Sequence, residues 1–290
     1  MSNIRVYENL FFGYHKNMAH KKEWFNDESF WEQYAPIMFD AKHWGEVPGV
    51  ADGVTRLARL KLYGEGPAGL IHPLWNMAVP GNKSVPRILD LCCGFGRLTL
   101  EFARRGFAAT GVDITESYLK TAREDAIYEN LDIEFTKEDV RDFKRPEFFD
   151  VAVNLYISFG YFADPMDDKK FIQNAYDSLK GGGTLIIDTL GKEIAVRDFV
   201  ASEWFEKAGF FVLTEYEALD SWGSLKNRWI LIKDGKQIER TFTQRLYSAA
   251  ELRALLFEAG FSQVEIYGDW NESPYDHRAE RLIVVGRKKF

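Results

Sequence analysis

The sequence predicts an α/β fold: a seven-stranded mixed sheet flanked by helices, with an N-terminal helical cap and an inserted antiparallel β cap. Three observations predict it. The stretch Arg87-Ile-Leu-Asp-Leu-Cys-Cys-Gly-Phe-Gly-Arg97, followed by Ala109-Thr-Gly-Val-Asp-Ile-Thr115, reads as strand, glycine turn, helix and a second strand ending in an acid. That is the grammar of a nucleotide-binding βαβ unit. Further strand-like runs follow at Ile133 to Val140, Phe149 to Asn154 and Leu179 to Asp188. Between 210 and 247 the pattern changes to β-branched and aromatic runs with a tight turn at Asp234-Gly235, which predicts antiparallel strands.

The elements of the first unit each carry a chemical implication. Ile88 to Leu91 is a short apolar run, as expected of a strand covered on both faces. Gly94 and Gly96 allow a sharp turn and leave no Cβ between backbone and ligand. Leu98 to Arg105 has helical composition and stops at Gly106, and its N-terminus offers free N–H groups to an anion. Asp113 falls where the second strand ends, so its carboxylate can accept both hydroxyl hydrogens of a ribose. Adenosine is the implied ligand. A dinucleotide fingerprint would want Gly or Ala where Thr99 stands, which weakens the pyrophosphate reading.

The run Asp90-Leu-Cys-Cys-Gly-Phe-Gly96 resembles the first motif of the class I S-adenosylmethionine-dependent methyltransferases of small-molecule type, with Cys92 where the first glycine is commonest. The end of the third strand, Asp139-Val140, resembles the pair that reads adenine in that family. Phe149 to Tyr161 resembles the fourth strand and the residues beyond it. Leu179-Lys-Gly-Gly-Gly-Thr-Leu-Ile-Ile-Asp188 resembles a helix end, glycine turn and fifth strand. The resemblance covers residues 85–190 and implies a Rossmann-like core with S-adenosyl-L-methionine as cofactor and S-adenosyl-L-homocysteine as product. It assigns to the cofactor Trp31, Tyr34, Asp90, Cys92, Gly94, Gly96, Asp113, Ile114, Asp139, Val140 and Asn154.

Four segments follow. Residues 1–84 form an aromatic-rich helical cap, in which Ser29 to Phe39 reads as a helix followed or broken near Pro36, and Gly64 to Gly69 and Pro80-Gly81 read as loops. Residues 85–209 form the cofactor core and 210–247 the inserted β cap. Residues 248–290 complete the sheet: Ser248 is an N-cap with Glu251 three residues on, the helix stops at Gly260, and strands follow at Gln263 to Tyr267 and Arg281 to Gly286. Cap and insertion should both lie above the carboxyl ends of the parallel strands. The acceptor is expected beside Tyr156, Trp222, Asn227 and Arg228.

Composition narrows the function. A chain of 290 residues that is 46% hydrophobic can bury one large core. No apolar run reaches membrane-spanning length and no signal peptide pattern opens the chain. The two cysteines are adjacent, Cys92-Cys93, which disfavours a disulfide or a zinc site and points to a cytoplasmic protein. With 44 acids against 37 bases the net charge is −7, which argues against a nucleic-acid partner and for a small-molecule acceptor.

Methyl transfer needs an in-line nucleophile about 3 Å from the methyl carbon. An amine needs little more than positioning, whereas a hydroxyl needs a base. The five histidines, His15, His20, His43, His72 and His277, all lie outside the cofactor motifs. Tyr156, just past the fourth strand, is better placed. No catalytic base is assigned. Two alternatives remain at this point, a nicotinamide-dependent oxidoreductase and a non-catalytic adenosyl-ligand sensor. The first lacks a Tyr-x-x-x-Lys pair after the fourth strand, since Tyr156 is followed four residues later by Gly160.

Overall fold

The computed structural model describes residues 23–60 and 85–290. The loops expected at Gly64 to Gly69 and Pro80-Gly81, and the residues His15, His20 and His72, lie outside these. Five strands build the parallel body: β1 (Arg87–Leu91), β2 (Ala108–Asp113), β3 (Glu134–Lys137), β4 (Phe149–Asn154) and β5 (Leu179–Thr189). Two antiparallel strands, β10 (Gln263–Tyr267) and β11 (Leu282–Arg287), complete the sheet in the order β10-β11-β5-β4-β1-β2-β3.

The central strands β1, β4 and β5 are largely apolar because both faces are covered. Leu89, Leu91, Ala152, Leu185 and Ile187 pack on one face with Phe171 and Ile172 of α6 (Pro165–Ser178) and Leu252 and Leu256 of α8 (Ala249–Glu258). Ile88, Val151, Val153 and Ile186 alternate onto the other face. There they meet α3 (Val47–Leu57) and α4 (Arg97–Arg104) through Val50, Val54, Leu98 and Phe102. The helix α5 (Glu116–Tyr128) joins β2 to β3. Ser248 and Glu251 form the expected capping box on α8, and Gly260 takes a left-handed φ of 107° beyond its end. The glycines 181–183 do not form a separate turn. β5 starts directly at the helix end, and Gly182 (φ 78°) accommodates an irregularity in its pairing with β4.

A second sheet, ordered β6-β7-β8-β9, is inserted between β5 and α8. It comprises β6 (Ser202–Lys207), β7 (Phe210–Leu219), β8 (Ser224–Lys233) and β9 (Lys236–Arg245). The insertion therefore opens at Ser202 rather than at 210. β6 is an edge strand with exposed Ser202, Glu203 and Trp204, so it lacks the apolar signature of its neighbours. The β8–β9 turn places Asp234 and Gly235 at φ of 49° and 71°, the left-handed pair that a tight hairpin requires.

The N-terminal helices sit on this insertion. α1 (Glu28–Met38), N-capped by Asp27, runs through Pro36 rather than breaking there. Its Phe30, Tyr34 and Ile37 pack against Val212 and Leu231, and the Tyr34 hydroxyl donates to the carbonyl of Trp229 at 2.9 Å. The short α2 (Ala41–Gly45) follows, N-capped by Asp40. Among the described residues no helix is long and apolar enough to cross a membrane.

Candidate active site

The carboxyl ends of β1, β2, β4 and β5 open into a cavity of about 930 Å³, bounded above by α1, α2 and the inner face of the second sheet. This is at the upper end of small-ligand sites, which run about 300–1,000 Å³.

One end is built on the β1–α4 turn. Cys92, Gly94 and Gly96 have φ of 62°, 56° and 70°, so the alternate glycine positions of the motif are alternate left-handed residues. Cys92 adopts that conformation despite its Cβ, at a cost of about 1–2 kcal/mol. Gly96 serves packing rather than ligand access, because a Cβ there would lie 2.9 Å from the Phe135 ring. Asp113 closes β2 and accepts the Gly94 N–H on Oδ2 and the Thr115 N–H on Oδ1, each at 2.8 Å. Burial raises its pKa, and the two N–H groups oppose that rise. Each oxygen keeps a further lone pair. Ile114 follows on the cavity wall.

Asp139 and Val140 also line the cavity, in the turn after β3 rather than inside the strand. Sequence reasoning missed the partner of Asp139. Arg141 is fully buried, stacks on Phe162, and binds Asp139, Asp167 and Glu23 at 2.6, 2.9 and 2.8 Å. The Asp139 carboxylate is thereby tied to the chain entering α1. Asp90 lies on the wall and accepts the Thr99 hydroxyl at 2.6 Å. Burial pushes its pKa up to about 7. Thr99 is thus turned into the core.

Three assigned residues do not reach the cavity wall. Tyr34 holds α1 on β8, Gly96 packs against α5, and Asn154 is buried with its amide donating to the Leu91 carbonyl at 3.0 Å. Trp31 does line the cavity, with its indole N–H on the Phe25 carbonyl at 2.8 Å.

At the opposite end stands Tyr156. It is left-handed (φ 57°), its N–H donates to Asp188, and its hydroxyl is buried with no partner among the described residues. Burial raises its pKa. Arg281 donates to the same Asp188 at 2.8 Å. Of the acceptor residues expected on the insertion, Asn227 faces the cavity, but Arg228 and Trp222 do not. Arg228 lies on the outer face, paired with Glu215 and Glu239 at 2.7 Å each. Neighbours in a strand point to opposite faces, so both could not be inside. Trp222 sits in a one-turn helix before β8, packed on Phe199.

His43 was not singled out by sequence reasoning, yet α2 brings it onto the wall. Asp40 accepts from its backbone N–H at 3.0 Å and contacts its Nδ1 at 2.5 Å, while Lys207 of β6 pairs with the same carboxylate at 3.0 Å. The His43 N–H, followed by Lys207, holds the Asp40 carboxyl well below the usual range. The readable signal was Asp40 three residues before His43, an N-cap spacing. His277 lies in a turn away from the cavity.

A family model described as Methyltransferase domain matches residues 88–183. A putative methyltransferase of Geobacillus sp. (strain WCH70) is 25% identical over 214 residues, covering 72% of this chain and 87% of that one. A solved S-adenosylmethionine-dependent methyltransferase from Clostridium acetobutylicum shares the fold, with TM-score 0.66 at 17% identity over 90% of this chain and 97% of that one. Residues 88–183 thus form a methyltransferase domain, in a chain with the fold of the S-adenosylmethionine-dependent methyltransferases. The glycine/sarcosine N-methyltransferase of Aphanothece halophytica is 26% identical to this methyltransferase over 205 residues, 70% of this chain and 76% of that one.

The residues present fit the family's cofactor, S-adenosylmethionine. Across the sheet from β3 to β4 the wall offers the Asp139-Val140 turn, the Asp113 carboxylate, the left-handed β1–α4 turn and then Arg97. This order of acceptors followed by a cation suits a nucleoside carrying an amino-acid tail. Among the described residues there is no cluster of three or more metal-ligating side chains.

Two predictions follow from the buried acids. Asp113→Ala should weaken S-adenosylhomocysteine binding at least roughly tenfold in calorimetry, since hydrogen bonds to an ionised acceptor are each worth about 1.5–3 kcal/mol. Unchanged affinity in a folded variant would remove Asp113 from the ribose. For Asp90 the sign is opposite to that of a paired carboxylate. Its folded pKa of about 7 exceeds the unfolded value, so the native state binds the extra proton and stability falls as pH rises from about 4 to 7. Urea unfolding at about pH 5 and about pH 7.5 should show a smaller loss in Asp90→Asn than in the natural chain. Equal losses would contradict the assignment.

Proposed function

We propose that this methyltransferase moves the cofactor's methyl group to a nitrogen or oxygen of a small molecule held between the β1–α4 turn and the inserted sheet. The observation that carries this reading is the roof. A single cavity receives both the cofactor-loop residues Cys92, Gly94 and Asp113 and the inner-face residues Asn227, Trp229, Phe242 and Gln244. A roofed cavity of this size suits a metabolite better than a duplex, and the net charge of −7 adds repulsion against phosphates. Resemblance to an N-methyltransferase that acts on glycine and sarcosine, by its name, supports a small acceptor. Free, adjacent Cys92 and Cys93 suit a reducing compartment such as the cytoplasm.

When bound, S-adenosylmethionine supplies a methyl group already activated by its sulfonium. The chain's own work is to exclude water, to aim the acceptor and to take its proton. Trp31, Tyr161, Trp229 and Phe242 supply the dry walls. Tyr156, with its unpartnered hydroxyl at the end of β4, orients the acceptor. His43 is the proton acceptor: with Asp40 on Nδ1 its Nε2 keeps the lone pair, the arrangement of a base oriented by a carboxylate. A hydroxyl would need this step, whereas a neutral amine would not.

Tritiated methyl transfer, run in parallel on a metabolite extract, total RNA and whole protein, decides the acceptor class. Label is expected in the small-molecule fraction. Label mainly in RNA or protein would refute the proposal, and cofactor binding without transfer to any fraction would support the sensor alternative.

A further inference from the structure

The cavity reaches solvent where residues of its wall are themselves exposed. Three of these are large and apolar: Ile157, Phe199 and Val200 line the cavity, yet 38%, 39% and 49% of their surfaces are exposed. Scattered apolar residues are ordinary on a protein surface, but these three share one opening. Ile157 directly follows Tyr156, and Gln244 of β9 donates to its carbonyl at 3.1 Å. Gln244 pairs with Leu225 of β8, and Leu225 clusters with Ala195 of α7 (Lys192–Arg197). Phe199 lies two residues beyond α7, with its ring edge-on to that of Trp222 at 5.1 Å.

The rest of the rim narrows the chemistry. Among the described residues, the other exposed members of the wall are Lys42, Asp198, Glu203 and Glu280, one cation against three acids, and Asp198 is paired with Arg197 at 2.6 Å. An opening with this excess of acids repels an anionic group and leaves the apolar side chains as its main attraction. A chain lying across Ile157, Phe199 and Val200 covers side chains that are otherwise hydrated, and each methylene so buried raises affinity roughly fourfold. The patch is continuous with the cavity wall, so the occupant that reaches it from within is a ligand rather than a flat partner surface.

We infer that the methyl acceptor is amphipathic: its polar head lies at Tyr156, and an apolar arm, alkyl or aryl and without an acidic group, leaves the cavity across Ile157, Phe199 and Val200. This rests on the small-molecule acceptor proposed above and extends it from the reacting atom to the polarity of the whole molecule. Trp222, which does not reach the cavity, contributes by holding the Phe199 ring at the rim. The inserted sheet thus has two tasks. Asn227 and Trp229 face the head from the roof, while Leu225 and Gln244 carry the contacts that set the rim.

Calorimetry with a homologous series of 4-n-alkylphenols, from methyl to pentyl, tests the inference on the natural chain saturated with S-adenosylhomocysteine. Affinity should rise roughly fourfold per methylene. The acid 5-(4-hydroxyphenyl)pentanoate, equal in chain length to the pentyl compound, should bind at least roughly tenfold weaker than it, because its carboxylate would meet the acidic rim. The double variant Phe199→Ser, Val200→Ser should flatten the series to less than about twofold per methylene. Both side chains are exposed, so the fold does not depend on them, and the natural-chain series decides even without the variant. A flat series or no binding in the natural chain, equal binding of the acid, or a rise that survives the double variant overturns the inference. So does a natural chain that sediments as a dimer when the double variant sediments as a monomer, since a second copy would then cover the patch. A flat series with methyl label in the metabolite fraction overturns the amphipathic acceptor alone, whereas label mainly in RNA or protein overturns the reading on which it rests.

Discussion

The site depends on one carboxylate. Asp113 stands at the end of β2 and accepts the backbone N–H groups of Gly94, in the turn after β1, and of Thr115, at the start of α5. Two loops from adjacent parallel strands are thereby joined through a buried carboxyl side chain. Such a group is tolerable only if its hydrogen bonds are satisfied. The same demand explains the left-handed turn: Gly94 can direct its N–H at Asp113 because Cys92, Gly94 and Gly96 all take positive φ. The fold thereby presents the Asp113 carboxyl at the cavity wall in a fixed position.

Ion pairs recur around the cavity. Arg141 joins the Asp139 turn after β3 to Glu23, ahead of α1. Arg281, from the start of the closing strands, meets Asp188 at the end of β5 beneath Tyr156. Lys207 of the inserted sheet meets Asp40, which orients His43. The N-terminal helices and the inserted sheet are held to each other by the Lys207–Asp40 pair and by the apolar contact of α1 on β7 and β8, and the Arg141–Glu23 pair ties the N-terminal segment to the core.

The parallel body was legible in the sequence because its signals are local. Apolar runs mark β1, β4 and β5, and the acid ending β2 falls at the carboxyl edge where open α/β sheets keep their ligands. The Ser248–Glu251 box and the Asp234-Gly235 turn are equally local. What was not legible depends on pairing or on distance. β6 is polar and exposed at a sheet edge, so only its ladder with β7 reveals it. Arg228 was placed at the acceptor although strand register turns it toward Glu215 and Glu239, and Asn227 inward. Tyr34 and Asn154 were assigned to the cofactor by resemblance, but they bond the backbone of Trp229 and Leu91 instead. His43 carries no motif. It becomes a site residue only when α2 folds over the ends of β1 and β4.

The most direct test is a crystal structure of the S-adenosylhomocysteine complex. It should show both ribose hydroxyls within about 3.2 Å of the Asp113 carboxylate, with the Gly94 and Thr115 N–H bonds to that carboxylate retained. A ribose bound elsewhere, or one that displaces those two backbone bonds, would contradict the central role given to Asp113.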